Sequence, residues 1–176
     1  MTAALDLRGY VRDIPDYPKQ GIVFRDVTPL FLDPQALEHA IALLAAWGAE
    51  REVDYVVAAE ARGFVLGAAV AARLGAGFIP ARKPGKLPRE AISVEYALEY
   101  GVDALEVHRD ALADGARVLV HDDLIATGGT AEALCRLVES AGARVTGCAF
   151  VIELAALGGR ERLGERPFHT LISYDS

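Results

Sequence analysis

Val118-Leu119-Val120-His121-Asp122-Asp123-Leu124-Ile125-Ala126-Thr127-Gly128-Gly129-Thr130 is the stretch from which the rest of the chain can be read. An apolar run stops at two adjacent carboxylates, and a turn of small residues with two glycines and two threonines follows. From Ala131 to Ala141 an apolar pattern resumes, with Leu134, Leu137, Val138 and Ala141 at the i, i+3, i+4, i+7 spacing of one helix face. The order predicts a buried strand, a tight turn, and a helix whose first turn sits at the strand's carboxyl end. Glycines at the mouth of a helix let backbone N–H groups approach an anion closely, and the helix dipole favours negative charge there. The Thr127 and Thr130 hydroxyls add donors. Asp122 and Asp123 cannot hold a phosphate, but they suit the hydroxyls of a sugar attached to one. A phosphate cradle beside a diol clamp describes a ribose-5-phosphate site. Without that order, the same residues would be a plain strand-to-helix connection, with Thr127 as a cap and both aspartates solvated.

Working outward, Val53 to Ala59, Gly77 to Ala81, Arg117 to Val120, Ala143 to Ile152 and Phe168 to Ser173 read as strands. Pro34 opens a helix to about Ala49 with Leu37, Ile41, Leu44 and Ala45 inward. The turn Glu60-Ala61-Arg62-Gly63 starts another that ends near Leu74. Leu5 to Arg12 reads as a short helix, and Gly158 to Gly164 as a helical or turn segment. Asp13 to Asp33, punctuated by Pro15, Pro18, Gly21 and Pro29, reads as a loop. Arg82 to Leu105 reads as a second loop-like region with some β-structure. Strands alternating with helices predict the α/β class, with a parallel sheet flanked by helices on both faces. Ligands bind such sheets outside the carboxyl ends of the strands, where the turn at Arg62 and the turn at Gly128 both fall. A dinucleotide fold is disfavoured because no G-x-G-x-x-G follows a strand, and a P-loop because Gly85-Lys86 runs into Leu87.

The 176 residues suit one domain, 1–176, which buries roughly 70% of its unfolded surface without staples. No run is long enough to span a bilayer, and Met1 to Gly9 lacks a basic segment before an apolar core, so neither a membrane nor a secretory destination is expected. Cys135 and Cys148 fall in apolar segments without the neighbours of a nucleophile or metal site, which fits a reducing cytoplasm. The net charge of −7 disfavours a nucleic-acid surface and leaves capture of an anion to local groups and a divalent metal. His121 has no second His or Cys at metal-binding spacing and reads as a satisfied strand histidine.

The 118–130 stretch resembles the signature of the phosphoribosyltransferases, which bind 5-phosphoribosyl 1-diphosphate. His121 departs from the aliphatic residue expected before the acidic pair. Three further segments resemble the adenine phosphoribosyltransferase family: Ile14 to Leu30, Glu60-Ala61-Arg62-Gly63-Phe64, and Arg82-Lys83-Pro84-Gly85-Lys86-Leu87-Pro88. Tyr96-Ala97-Leu98-Glu99-Tyr100-Gly101 is similar to it as well. The resemblance spans about residues 10 to 173. It implies a phosphoribosyltransferase-like fold with an N-terminal base-recognition hood at about 1–34, a core at about 35–176 and a flexible catalytic loop.

The implied reaction joins adenine to 5-phosphoribosyl 1-diphosphate, giving AMP and pyrophosphate. By resemblance, Val23 supplies a backbone N–H and C=O pair to the base, Phe24 and Ile125 form apolar walls, and Arg25 lies near the base. Asp122 and Asp123 hold the ribose hydroxyls, while Ala126, Thr127, Gly128, Gly129 and Thr130 grip the 5-phosphate. Arg62 binds pyrophosphate from a turn carrying an unusual, strained peptide. Arg82, Lys83 and Lys86 form a basic cluster, with Arg82 reaching across a homodimer interface. Glu99, followed by Tyr100, manages the proton that leaves adenine, and Mg²⁺ is expected on the pyrophosphate and ribose hydroxyls. A fixed peptide edge cannot exchange donor for acceptor, so a hypoxanthine or guanine would be rejected by on the order of 10⁴. Transfer to another nucleobase, a DNA-binding regulator and a domain that only binds nucleotides are the competing readings. The acidic charge and the Val23-Phe24-Arg25-Asp26 segment argue against the first two, and Arg62 with Glu99-Tyr100 against the third.

Overall fold

The structure is a computed structural model, which describes residues 5–97 and 101–175. After a 3-10 turn at Leu7–Tyr10 comes an antiparallel pair, β1 (Arg12–Pro15) and β2 (Val23–Asp26), then α1 (Thr28–Leu32) and α2 (Pro34–Ala49). β3 (Tyr55–Ala59), α3 (Arg62–Leu74) and β4 (Gly77–Ala81) follow, and a second antiparallel pair, β5 (Ala91–Ala97) and β6 (Val102–His108), lies beyond them. The chain closes with β7 (Arg117–Ile125), α4 (Gly129–Ser140), β8 (Arg144–Leu154), 3-10 turns at Ala155–Leu157 and Gly159–Leu163, and β9 (Phe168–Tyr174).

Five strands form one parallel sheet in the order β4-β3-β7-β8-β9. It is covered on both faces, which is why its strands read as nearly continuous apolar runs. On one face Val57, Val120, Cys148 and Phe150 pack with Leu134, Leu137 and Val138 of α4 and with Leu105 and Val107 of β6. On the other, Val56, Leu119 and Val151 meet Leu44 of α2 and Leu66 and Val70 of α3. No helix among the described residues is long and apolar enough to cross a membrane.

Local chemistry sets the helix ends. Asp33 caps α2 by accepting the Gln35 and Ala36 N–H groups, each at 2.9 Å, and Pro34 supplies a φ suited to the first helical position. Its buried face is rotated from the expected one: Ala36, Ala40 and Leu44 lie at the centre, with Leu37 and Ile41 half-buried on the flank. α3 stops at Gly75, whose φ of 68° is the left-handed conformation that ends many helices.

Several expectations need correction. Asp13–Asp33 is not a plain loop, since β1, β2 and α1 occupy most of it. Leu5–Arg12 contains only a 3-10 turn, and Arg12 already belongs to β1. The β-structure expected within Arg82–Leu105 is the β5–β6 hairpin, whose Val94, Tyr96 and Leu105 are buried. The strand expected to stop at Val120 continues to Ile125, because β8 is long enough to pair with Asp122, Leu124 and Ile125 through Phe150, Ile152 and Glu153. The aspartates therefore lie within the end of a strand, not beyond it. Glu99 and Tyr100 lie outside the described residues.

Candidate active site

Two adjoining pockets open at the carboxyl ends of β3 and β7. The first, about 220 Å³, is lined by Asp122 through Ala131 together with Arg62 and Ala97. The second, about 250 Å³, is lined by Glu60, Ala61, Arg62, Lys83, Tyr96, Leu105 and Thr130 among others. Arg62, Asp122, Asp123 and Thr130 belong to both walls, so one elongated ligand can touch both pockets.

The first pocket is the turn between β7 and α4. Gly128 precedes α4 with a φ of 81°, and a Cβ there would lie 2.4 Å from the Gly159 carbonyl oxygen. Gly159 is held as tightly: its Cβ would lie 2.3 Å from the Ala126 oxygen and 2.9 Å from the Gly128 nitrogen. Gly159 thus backs the turn, a role that the order of residues around Gly128 does not disclose. Ile125 is buried, and Thr127 is exposed at the rim. Backbone N–H groups at the start of a twelve-residue helix can here meet an anion.

Between the pockets, the Arg62 Nε donates to Asp123 Oδ2 at 2.5 Å, and the Asp123 N–H donates to Asp122 Oδ1 at 2.9 Å. The Asp123 side chain is buried while that of Arg62 is half exposed. Burial, and then the neighbouring Asp123, pushes the Asp122 carboxyl well above the usual carboxylate range. Gly63 makes room for this residue, since a Cβ there would lie 2.7 Å from Asp122 Oδ1. The peptide between Glu60 and Ala61 is cis, in the turn for which an unusual peptide was expected.

Beside the second pocket, Glu60 gathers the basic turn. It accepts the Lys83 N–H at 2.5 Å, Arg82 Nε at 3.3 Å and Lys86 Nζ at 3.0 Å. The Lys83 ammonium is paired instead with Asp103 and lies 3.5 Å from the Tyr96 hydroxyl. Of Arg82, Lys83 and Lys86, only Lys83 lines either pocket.

The N-terminal hairpin reaches the site through Phe24, whose ring centroid lies 5.6 Å from the Arg62 guanidinium. Val23 and Arg25 line neither pocket. Val23 is exposed, and Arg25 pairs with Asp13 at 2.5 Å and stacks 4.1 Å from the Tyr174 ring centroid. His121 is buried, with Nδ1 2.9 Å from the Ala149 oxygen and Nε2 without a partner among the described residues. It is therefore satisfied on one side only, and burial lowers its pKa to about 4. Cys135 and Cys148 are buried free thiols with their sulfurs 3.7 Å apart.

No three His, Cys, Asp or Glu side chains among the described residues are grouped to hold a metal ion. The donor set between the pockets, the Asp122 and Asp123 carboxylates with Arg62 and Lys83 nearby, is that of a site for a phosphorylated, hydroxyl-bearing ligand.

A family model for the phosphoribosyl transferase domain matches residues 31–166. The adenine phosphoribosyltransferase of Methylococcus capsulatus is 58% identical over 168 residues, covering 96% of this chain and 98% of that protein. Among solved structures, the adenine phosphoribosyltransferase of Thermoanaerobacter pseudethanolicus superposes with a TM-score of 0.92 at 49% identity, covering 96% of this chain and 98% of that one. That of Saccharomyces cerevisiae, complexed with D-2,5-dideoxy-2,5-imino-altritol 1,6-bisphosphate and adenine, has a TM-score of 0.88 at 40% identity, covering 94% and 96%. The phosphate turn, the acidic pair and Arg62 thus occur in a chain that belongs to the phosphoribosyltransferase family, in its adenine phosphoribosyltransferase branch.

Proposed function

We propose that this chain transfers the phosphoribosyl group of 5-phosphoribosyl 1-diphosphate to adenine, releasing AMP and pyrophosphate as a step of purine salvage. The observation that carries the reading is the pair of pockets sharing Arg62, Asp122, Asp123 and Thr130. Together they offer a phosphate turn, a carboxylate pair and a guanidinium in the order in which this substrate presents phosphate, diol and diphosphate. The relatives that match most of the chain are adenine phosphoribosyltransferases.

The 5-phosphate sits on the backbone of Ala126, Thr127, Gly128, Gly129 and Thr130, and the ribose hydroxyls on Asp122 and Asp123. Arg62 exchanges its bond to Asp123 for the diphosphate. As the anomeric carbon–oxygen bond breaks, positive charge grows on the ribose beside the carboxylates, and negative charge on the leaving group faces Arg62 and the basic turn. Fixed charges aimed where charge develops lower such a barrier. N9 of adenine forms the new bond and loses its ring proton, which Glu99 accepts or relays, with Tyr100 beside it. Val23 reads the N1 and N6 edge through its peptide, Phe24 and Ile125 wall the ring, and Arg25 braces β2 from behind through Asp13 and Tyr174.

The carboxylates of Asp122 and Asp123 are hard oxygen donors that fit Mg²⁺ arriving on the diphosphate and ribose oxygens, where it would neutralise leaving-group charge. The chain works as a homodimer in the cytoplasm, with Arg82 directed to the partner's diphosphate. On this reading the hood spans about 1–34 and the core about 35–176 of a single domain.

The test is turnover by the purified chain with adenine, guanine, hypoxanthine and xanthine in turn, with and without Mg²⁺. Adenine should be used far better than the others, and only with the metal. Equal use of hypoxanthine would falsify the peptide-edge reading of the base.

A further inference from the structure

We infer that Glu60 is a positioning residue, whose carboxylate fixes the basic turn at 82–86 in the pose that meets the diphosphate. Three donors from that turn converge on this one side chain, and each comes from a different kind of group: a main-chain N–H, a guanidinium and an ammonium. A solvated surface carboxylate would not collect all three, and the Glu60 side chain is only 14% exposed. The bond to the Lys83 N–H holds the main chain of the turn, and the bonds to Arg82 and Lys86 hold the direction of its side chains. The Lys83 N–H, and beyond it Lys86 and Arg82, keep the Glu60 carboxyl below its ordinary range despite burial.

A carboxylate beside an anion site would weaken binding if it merely competed for the same donors. The geometry argues for orientation instead. Glu60 engages Arg82 through Nε, which leaves the two terminal nitrogens of the guanidinium to face an anion, and it takes one of the three donors of Lys86. Without it, Arg82 and Lys86 lose their counter-charge and repel each other, and the turn loses three tethers to the end of β3. Holding donors in place before the ligand arrives removes part of the ordering cost of binding. The inference rests on the diphosphate reading of the basic turn, and it holds whether Arg82 serves its own site or the partner's.

The test is calorimetric binding of pyrophosphate and of AMP to wild type, Glu60→Gln, Lys86→Met and the double variant, with melting temperatures measured alongside. AMP carries the 5-phosphate and base but not the diphosphate, so it reports any general damage. Glu60→Gln, of nearly the same shape, should weaken pyrophosphate roughly 10-fold, as expected for lost charge-assisted bonds, and leave AMP within twofold. In the double variant the two losses should fall well short of additive, because Glu60 acts through Lys86. Unchanged or tighter pyrophosphate binding in Glu60→Gln, or an equal loss for AMP, would overturn the inference. Should Glu60→Gln fail to fold, Glu60→Asp, with the charge on a shorter arm, takes its place with the same outcomes. If pyrophosphate binds wild type no better than inorganic phosphate, the functional reading falls and this inference with it.

Discussion

Gly159→Ala should damage binding of the phosphorylated substrate from outside the signature. The new Cβ would stand 2.3 Å from the Ala126 oxygen and 2.9 Å from both the Gly128 nitrogen and Ile125 Cγ1. Ordinary contact begins near 3.4 Å, so the two segments must part by about 1 Å. Neither yields freely. Ile125 is buried at the end of the parallel sheet, and Leu163, which closes the 159–163 turn, is fully buried against α4 and its surroundings. The crowding should cost about 1–3 kcal/mol of stability, as overpacking does. Part of the displacement falls on the turn whose N–H groups are proposed to grip the phosphate, and a misplacement of about 1 Å can cost on the order of 10² in rate. Steady-state kinetics should show KM for 5-phosphoribosyl 1-diphosphate rising about 10–100-fold, with KM for adenine moving less than about threefold. Gly164→Ala is the control. Its φ of 61° makes alanine strained, by about 1–3 kcal/mol, but no atom lies within 4 Å of the added Cβ. It should lower the melting temperature and leave both KM values alone. If Gly159→Ala melts lower yet keeps the wild-type KM for the phosphorylated substrate, the close approach does not hold the cradle and the reasoning fails.

Two further variants test the strand that ends at the site. Asp122→Asn should lower kcat/KM by about 10²–10³ while raising the melting temperature at pH 7. A carboxyl whose folded pKa is raised above 3.8 makes stability fall as pH climbs between the two values, and the amide removes that penalty. An active variant, or one less stable than wild type at pH 7, would contradict the assignment. His121→Val should blunt acid sensitivity. With a folded pKa of about 4 against 6.5, His121 contributes stability that is complete above pH 6.5 and is lost as pH falls toward 4, about 2 kcal/mol of it by pH 5. Urea unfolding at pH 8 and pH 5 should show wild type losing that much more than the variant, and equal losses in both would refute it.

What was legible in the chain is what is local. The strand, carboxylates, glycine turn and helix of 118–140 follow one another without interruption, and α2 has both its cap, Asp33, and its first-position proline in adjacent residues. β1 and β2 were not legible, because no residue of their four-pair ladder is buried and it carries no apolar alternation. β5 did carry one, Ile92, Val94 and Tyr96, which showed as some β-structure, but the charged, proline-marked approach at 82–90 hid its extent. The aspartates were read as ending a strand because their partners, Phe150 to Glu153, lie some thirty residues further on. The support of the phosphate turn by Gly159, and of the basic turn by Glu60, are contacts of the same long-range kind. A glycine pair and a glutamate give no local sign of what they face.

The charge arrangement explains how an acidic chain can take a polyanion. At a net charge of −7 the field of the whole molecule repels the substrate, so attraction has to come from groups near the pockets. Those groups are not bare: Arg62 leans on Asp123, Arg82 and Lys86 on Glu60, and Lys83 on Asp103. Binding is then an exchange of one anion for another around cations already in place, with little net burial of uncompensated charge. For Arg62 the exchange also frees Asp123, the residue assigned to the ribose hydroxyls of the same substrate. On that assignment, one molecule supplies the anion that draws the guanidinium off and the hydroxyls that occupy the carboxylate left behind. Neither half of that exchange is favourable alone, since each would strand a partly buried charge, which costs more than the pair is worth. A ligand with only the ribose hydroxyls or only the diphosphate should therefore bind with less than its share of the full substrate's affinity.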